Sequence, residues 1–253
     1  FYAIVFHDAS EKWAAGYTIK DKESESIIAA FTQFLHDHDQ HLPNGVALWH
    51  TDNGSEFKNK DMEQFCRELP IRRSYSVPYI PAQNPYAERM WGEVLRRMRI
   101  AMVDNHTPED LWPYAFKQAI LIHNITMDDQ CTSPYKRIHG VDYDYSQLHV
   151  YDCLVYYLVP DRDRPSKLSP RALPARYQGP DPERRGHLLY IPKLGRHTTA
   201  YHVVFNEYRS YSSSLERPSV EFHHRSERRS YHHYQEDRDG DNTTDDDDQD
   251  VDD

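Results

Sequence analysis

Cysteine, glycine and long apolar runs are scarce in this chain of 253 residues. The three cysteines, Cys66, Cys131 and Cys153, are odd in number and widely spaced, which argues against a disulfide scaffold and against a zinc site built on cysteine pairs. We therefore expect a reducing, intracellular setting. No run approaches ~18 apolar residues, so no membrane span is predicted. The chain begins without Met, inside an apolar run that lacks the basic flank of a signal peptide, and we expect it to belong to a longer reading frame.

Charge is distributed unevenly along the chain. The formal net charge is −11, and residues 235–253 alone hold eleven acids and one base. This tail is poor in large apolar residues, so we expect it to be disordered and to act as a linker or as a partner-binding element. Residues 160–200, in contrast, carry nine bases and four acids. A solvated basic face and a phosphate-binding surface both explain that excess.

The hydrophobic pattern predicts two structured regions. The first contains a hairpin, a helix, a strand, a helix, a strand and two long helices, which is the order of an α/β layer. Ser24 or Ser26 is predicted to cap its first helix, and Thr107 its last. The second region has short strand candidates between Pro- and Gly-bearing turns and reads as a small β-barrel or meander. The predicted divisions are the α/β layer at 1–127, a linker with a short helix at 128–147, the β region at 148–207 and the tail at 208–253.

Two carboxylates stand where an α/β fold presents ligands. Asp52 follows a buried strand and precedes an Asn-Gly turn, and Glu88 lies in the first turn of a long helix, with 35 residues between them. Taken alone, Asp52 is better explained as a turn aspartate, because Asp before Asn-Gly is common in turns. Two carboxylates delivered from different elements to one sheet edge suit Mg²⁺, which prefers oxygen ligands.

The residues around both acids resemble a known family. His50–Phe57 (HTDNGSEF) and Pro78–Arg89 (PYIPAQNPYAER) are similar to the second and third acidic motifs of retroviral and retrotransposon integrases, including the spacing of the acids. Residues 133–135, 148–156, 167–170 and 203–207 resemble copia-type elements in particular. The resemblance covers about residues 1–207.

This resemblance implies an RNase H-like integrase core that lacks its first, central strand, followed by a small β-barrel domain and a disordered acidic tail. It implies insertion of element DNA into a target duplex by two-metal phosphoryl transfer, with Asp52 and Glu88 as catalytic residues and as ligands of Mg²⁺ or Mn²⁺. The family's first catalytic aspartate would lie on the absent strand. We therefore expect the chain as given to be catalytically incomplete and, with unpaired strand edges, unstable or prone to aggregate.

The resemblance also implies partners and a location. The expected partner is DNA, both the element ends and the target duplex, and no membrane is expected. The intact protein is expected to form a homo-multimer and to be located in the nucleus or in a virus-like particle. Candidate nucleic-acid contacts are polar side chains near the acids or in the basic stretch: Asn84, Arg89, Arg96, Arg99, Arg176, Arg184 and Arg185. A solvated surface would also explain these arginines.

Other interpretations stay open. Pro85 stands where the family has glycine, and Gly92 where a basic residue is common, so a decayed copy is possible, namely a non-enzymatic DNA-binding or structural remnant. An RNase H-type nuclease is disfavoured by the integrase-like flanks of the acids. The histidine-rich residues 36–41 are explained by a polar loop rather than by a metal site.

Overall fold

The computed structural model describes residues 1–42, 45–76, 85–181 and 184–211. The described residues all lie in one compact unit, within Phe1–Val220. Residues 212–253, nearly all of the predicted tail, lie outside the described residues. Among those described, no helix is long and apolar enough to cross a membrane.

The chain opens with the predicted hairpin. β1 (Tyr2–His7) pairs antiparallel with β2 (Ala14–Ile19). Asp8 organises the turn between them, because its Oδ1 accepts hydrogen bonds from the backbone N–H and the hydroxyl of Ser10, at 2.7 and 2.6 Å. Side chains alternate along β1, so that both faces of the hairpin can pack against helices.

The next elements also follow the predicted order. They are α1 (Ser24–Asp37), β3 (Leu48–Thr51), α2 (Lys60–Glu68) and β4 (Arg72–Tyr75). β3 and β4 pair in parallel, as strands joined by a crossover helix do.

Helix capping differs in part from the prediction. Asn59 caps α2, its Oδ1 accepting a hydrogen bond from the Met62 N–H at 2.9 Å. No side chain caps α1: Ser24 is already its first residue, and the Ser26 hydroxyl donates to Asp21 at 2.6 Å. The predicted serine cap is therefore wrong, because a neighbouring carboxylate takes the hydroxyl.

The strands of the α/β layer form two separate two-stranded sheets, β1–β2 and β3–β4. Within the described ranges no ladder joins β1 to β3. Aromatic side chains connect the two sheets instead. The ring of Trp49 on β3 stacks on Phe31 of α1 with centroids 4.3 Å apart, and Phe6 of β1 lies 5.2 Å from the same Phe31 ring.

Two long helices cover the opposite face of the hairpin. They are α3 (Pro85–Asp104) and α4 (Trp112–Ile125), which contribute the fully buried Val94 and Phe116. Gly16 on β2 permits this close approach, because a Cβ atom there would lie 2.6 Å from Phe116 Cζ.

The connection between α3 and α4 departs from the prediction. Residues Glu109–Leu111 form a 3₁₀ turn before α4, and the Thr107 hydroxyl donates to Asp152 Oδ2 at 2.6 Å. The predicted threonine cap is therefore wrong, because a buried carboxylate 45 residues further along the chain takes its hydroxyl.

A five-stranded antiparallel sheet follows the short helix α5 (Pro134–His139). Its strands are β5 (Cys153–Leu158), β6 (Ala172–Asp181), β7 (Gly186–Ile191), β8 (Arg196–Ala200) and β9 (Val203–Ser210). They lie in the order β8-β7-β6-β5-β9. β9 extends past residue 208, the start of the predicted tail.

A buried polar network joins this sheet to the α3–α4 connection. Asp152 has no solvent exposure, and its carboxylate accepts hydrogen bonds from Thr107, from Gln178 Nε2 at 2.6 Å and from the Arg176 guanidinium. Arg176 also donates to the Tyr211 carbonyl at 3.0 Å. The network therefore connects segments before the sheet (Thr107 and Asp152), a strand of the sheet (Arg176 and Gln178 on β6) and the residue that follows β9 (Tyr211).

Candidate active site and nucleic-acid interface

Asp52 lies immediately after β3, where the chain leaves the sheet. Its side chain is exposed, and Oδ1 accepts a hydrogen bond from the Gly54 N–H at 3.1 Å. This turn orients the carboxylate at the sheet edge while keeping it accessible from solvent.

Polar contacts anchor the same turn to the segment after β4. The Asn53 amide donates to the Ser76 carbonyl, and Asn53 Oδ1 accepts from Lys58 Nζ at 2.9 Å. The His50 ring nitrogens lie 3.1 and 3.2 Å from the hydroxyls of Ser74 and Ser76. Asp52 is thus held on a braced turn rather than on an unsupported loop.

Glu56 is a further acid of this turn to which the motif assigns no role. A Cβ atom on Gly54 would lie 2.5 Å from Glu56 Oε2, so this carboxylate packs directly against the glycine whose N–H binds Asp52. A larger residue at position 54 would displace the flexible Glu56 side chain. In the sequence the only signal was the position of Glu56 inside the run Asp-Asn-Gly-Ser-Glu.

Basic and aromatic side chains form a surface beside the turn. Lys58 Nζ and the Arg73 guanidinium lie 4.9 and 5.0 Å from the centre of the Tyr75 ring, and with Lys60 they border an open pocket of about 460 Å³. Two exposed lysines beside a half-buried arginine and tyrosine ring suit nucleic-acid phosphates and bases. Sequence reasoning missed this group, because its members come from separate elements.

Glu88 is exposed in the first turn of α3, and so are Arg89, Arg96 and Arg99 further along the helix. At ~100° per residue, Arg99 lies about 20° and Arg96 about 80° around the helix from Glu88. A Cβ atom added at Gly92, between them, would meet nothing within 4 Å. The exposed side of α3 therefore carries Glu88 together with the three predicted arginines.

The donor chemistry of Asp52 and Glu88 fits a hard divalent cation, since both supply carboxylate oxygens. Over residues 1–42, 45–76, 85–181 and 184–211, no group of three or more His, Cys, Asp or Glu side chains is arranged to hold a metal ion. The two acids thus match Mg²⁺ in ligand type without forming a complete ligand set among these residues. Asn84, a predicted nucleic-acid contact, lies outside the described residues.

The five-stranded sheet presents an exposed basic turn between β6 and β7. Arg184 and Arg185 both lie there with exposed side chains. The backbone of Arg184 is fixed from two sides: its N–H donates to Asp181 Oδ1 at 3.3 Å, and its carbonyl accepts from the Tyr201 hydroxyl at 2.5 Å. The turn is therefore suited to presenting both guanidinium groups to an external anion.

Arg176 does not belong to this surface. Its residue exposure is 7%, and its guanidinium is engaged by Asp152 and by the Tyr211 carbonyl. The prediction that Arg176 contacts nucleic acid is therefore wrong, because a buried carboxylate already neutralises this cation.

Two domain families match the chain. Residues 1–81, which include Asp52, match the integrase core domain, and residues 153–219 match the retroviral polymerase SH3-like domain. The chain thus contains one region similar to an integrase core domain and a later region similar to a retroviral polymerase SH3-like domain. The resemblance to retroviral and retrotransposon integrases is thereby confirmed, and so is an α/β core followed by a β domain. Glu88 follows the matched part of the integrase core domain.

The similar curated proteins are retrotransposon polyproteins. The chain is 25% identical over 210 residues to the Retrovirus-related Pol polyprotein from transposon TNT 1-94 of Nicotiana tabacum, which covers 82% of this chain and 15% of that protein. It is also 25% identical over 206 residues to the Transposon Ty1-DR4 Gag-Pol polyprotein of Saccharomyces cerevisiae, covering 80% of this chain and 13% of that protein. The chain thus spans less than a sixth of the length of these relatives.

Similar solved structures include the catalytic core domain of BIV integrase, with 19% identity, coverage of 55% of this chain and 85% of that chain, and a TM-score of 0.45. A second is a simian T-cell lymphotropic virus intasome in complex with PP2A regulatory subunit B56 gamma. Its identity is 18%, the match covers 79% of this chain and 72% of that chain, and the TM-score is 0.47.

Proposed function

We propose that this chain is part of a copia-type retrotransposon integrase and joins the ends of element DNA to a target duplex. The observation that carries the proposal is that two exposed acids each lie inside an integrase-like motif: Asp52 on a braced turn at the end of β3, and Glu88 in the first turn of α3. The two matched domains and the polyprotein relatives support it.

Mg²⁺ or Mn²⁺ is the proposed cofactor, with Asp52 and Glu88 among its ligands. When bound, such an ion would lower the pKa of an attacking water or hydroxyl and stabilise the leaving oxygen of an in-line displacement. A third carboxylate, expected on a strand that would pair between β1 and β3, completes the proposed ligand set. On this proposal, Asp52 and Glu88 are two of the three carboxylates that bind the metal ion.

The residues around the acids would position DNA. The Gly54 N–H orients the Asp52 carboxylate, and the bond between Asn53 and Ser76 keeps this turn against the sheet. Arg96 and Arg99, on the side of α3 that carries Glu88, would hold phosphates close to the acids. Arg89 extends this basic side, and Asn84 remains a proposed contact.

Arg184 and Arg185 form the proposed second contact with DNA, from the SH3-like domain. Both side chains are exposed, and hydrogen bonds hold the backbone of Arg184, so binding phosphate there would cost little further conformational freedom at that residue. We further propose that the intact protein acts as a homo-multimer, inside the cell, in the nucleus or in a virus-like particle.

A non-enzymatic DNA-binding or structural remnant is the competing function. It is favoured by the observation that no group of three potential ligands occurs among the described residues. In that case Asp52 and Glu88 would be ordinary exposed acids, and their loss would leave every function of the protein intact.

A strand-transfer assay separates the two functions. The protein, extended N-terminally through its reading frame, is incubated with labelled element ends and a target duplex, with Mg²⁺ or Mn²⁺. We expect joined products, and we expect Asp52→Asn or Glu88→Gln to abolish them. Asp61→Asn and Glu68→Gln are the matched controls. They change exposed acids at the start and at the end of α2, outside the proposed site, and should retain joining. Joining that survives Asp52→Asn would refute the site assignment, and RNA hydrolysis without joining would point to a nuclease.

A further inference from the structure

A half-enclosed pocket of about 170 Å³ lies between the β1–β2 turn, α3, the end of α4 and the start of α5. Its charged and titratable lining residues are Lys12, Glu93, Arg97, His123, Asp128 and Arg137. Arg97 lies nine residues after Glu88, which is about half a turn around α3, so the pocket opens away from the side that carries Glu88. It is therefore separate from the candidate active site.

Cations and acids alternate around the pocket. Arg97 pairs with Glu93 at 2.6 Å, Arg137 pairs with Asp128, and Lys12 Nζ lies 3.2 Å from Asp128. Three cations thus face two carboxylates, an excess of one positive charge. The His123 ring nitrogens lie 3.5 Å from Glu93 Oε2 and 3.0 Å from the Lys12 carbonyl.

The two arginines each have one nitrogen that these pairs leave unused. Nη1 of Arg97 and Nη1 of Arg137 are both buried, and neither has a hydrogen-bond partner in the described part of the chain. A guanidinium is always charged and offers its N–H groups in a planar fork suited to oxyanions. Arg97 of α3 and Arg137 of α5 both line this pocket, so an acceptor bound there would lie beside two guanidinium groups that still have an unused donor.

We propose that this pocket binds a phosphate group, with Arg97 and Arg137 as its main ligands and Lys12 at its mouth. A volume of about 170 Å³ equals that of roughly six water molecules, which is enough for a phosphate group. A tetrahedral oxyanion presents enough oxygens to reach donors on α3, α5 and the hairpin turn, whereas a carboxylate presents two. The phosphate belongs to a nucleic-acid backbone or to a free phosphate compound.

Bound phosphate would connect four elements of the α/β layer. The β1–β2 turn, α3, α4 and α5 each contribute at least one lining residue. Binding to the folded state alone must raise the temperature of unfolding. The site therefore has a readout that is independent of DNA joining and of the proposed function.

The test uses isothermal titration calorimetry and thermal unfolding of the full chain and of its N-terminally extended form, with inorganic phosphate as the probe. Sodium chloride at equal ionic strength is the control. We expect saturable phosphate binding and a higher unfolding temperature. Arg97→Gln and Arg137→Gln should each weaken binding by ~10-fold or more, because each removes one charged donor. Arg67→Gln, which removes an arginine from an exposed pair with Glu63, should leave binding unchanged.

Further variants separate a loss of phosphate binding from a loss of folding, and a further probe identifies the source of the phosphate. Arg97→Lys and Arg137→Lys preserve the charge facing Glu93 and Asp128 but lose the planar fork, and circular dichroism reports whether each variant is folded. A duplex oligonucleotide that displaces phosphate identifies the nucleic-acid backbone as the source, and phosphate binding without such competition identifies a free compound. No phosphate effect beyond that of sodium chloride in the unaltered protein, or binding that survives both glutamine variants, would overturn the proposal.

Discussion

The Arg176 guanidinium and the Asp152 carboxylate form an ion pair that is almost completely shielded from solvent, with side-chain exposures of 8% and 0%. Burial raises the pKa of the Asp152 carboxyl, and the Thr107 hydroxyl and Arg176 act in the opposite direction. Asp152 also has a φ of +58°, in the left-handed region that favours glycine. An ion pair at a strained position thus connects the α3–α4 turn to the five-stranded sheet.

Arg176→Leu should destabilise the protein by ~3–5 kcal/mol, because it leaves Asp152 buried without its counter-ion. The double variant Asp152→Gly, Arg176→Leu should recover most of this loss, since it removes both charges and relieves the positive φ. Urea unfolding of both single variants and the double variant measures the coupling. Single and double variants that lose stability additively would show that the pair is not coupled.

The Phe31 ring is the main link between the hairpin and the β3–β4 pair. Phe31→Ala should cost ~3–5 kcal/mol through loss of buried contacts with Trp49 and Phe6. Hydrogen exchange should accelerate most in β3 and β4, because in the described residues no ladder joins them to β1. Phe116→Ala, an equally buried change on the other face of the hairpin, should mainly affect α3 and α4. Uniform acceleration in both variants would contradict this division.

Acidification should weaken the contact between α4 and the five-stranded sheet, because His197 of β8 takes part in that contact. Its ring stacks on Tyr114 with centroids 4.4 Å apart and lies 4.9 Å from that of Tyr190. Burial lowers the pKa of His197, although Asp110 raises it. The unfolded chain therefore binds more protons as pH falls through the ordinary histidine range near ~6.5, and stability decreases there. Denaturant midpoints between pH ~7.5 and ~5.5 measure this loss.

His197→Phe keeps the aromatic packing and removes the ionisable group. We expect its stability to decrease less on acidification than that of the unaltered protein. His36→Phe, a change at an exposed position of α1, is the matched control and should retain the original dependence. Identical pH dependence in His197→Phe and the unaltered protein would eliminate His197 as a contributor.

DNA affinity should depend on the exposed arginines of α3. Arg96→Gln and Arg99→Gln should each weaken binding and reduce the slope of log K against log salt by ~1, because each loses one phosphate contact. Arg67→Gln, on α2, should leave the slope unchanged. Fluorescence anisotropy with a duplex over a salt series provides the measurement. A slope that is the same in all three variants would exclude this side of α3 from the interface.

The sequence predicted local features better than distant ones. The turn after β3 and the α3 helix follow from short motifs and helical spacing, whose determinants are neighbours in the chain. Arg176 illustrates the opposite case, because its burial depends on Asp152, 24 residues away, and the Thr107 hydroxyl likewise serves that carboxylate instead of a helix end. The Lys58, Arg73 and Tyr75 surface and the Arg97 and Arg137 pocket also form only when separate elements come together.

Metal rescue in the strand-transfer assay tests most directly whether Asp52 is a metal ligand. Asp52→Cys replaces a hard oxygen donor with a soft sulfur donor, which Mg²⁺ binds poorly and Mn²⁺ tolerates better. In the N-terminally extended protein we predict no joining by Asp52→Cys with Mg²⁺ and partial recovery with Mn²⁺, while Asp61→Cys joins with either ion. Full joining by Asp52→Cys with Mg²⁺ would contradict the assignment.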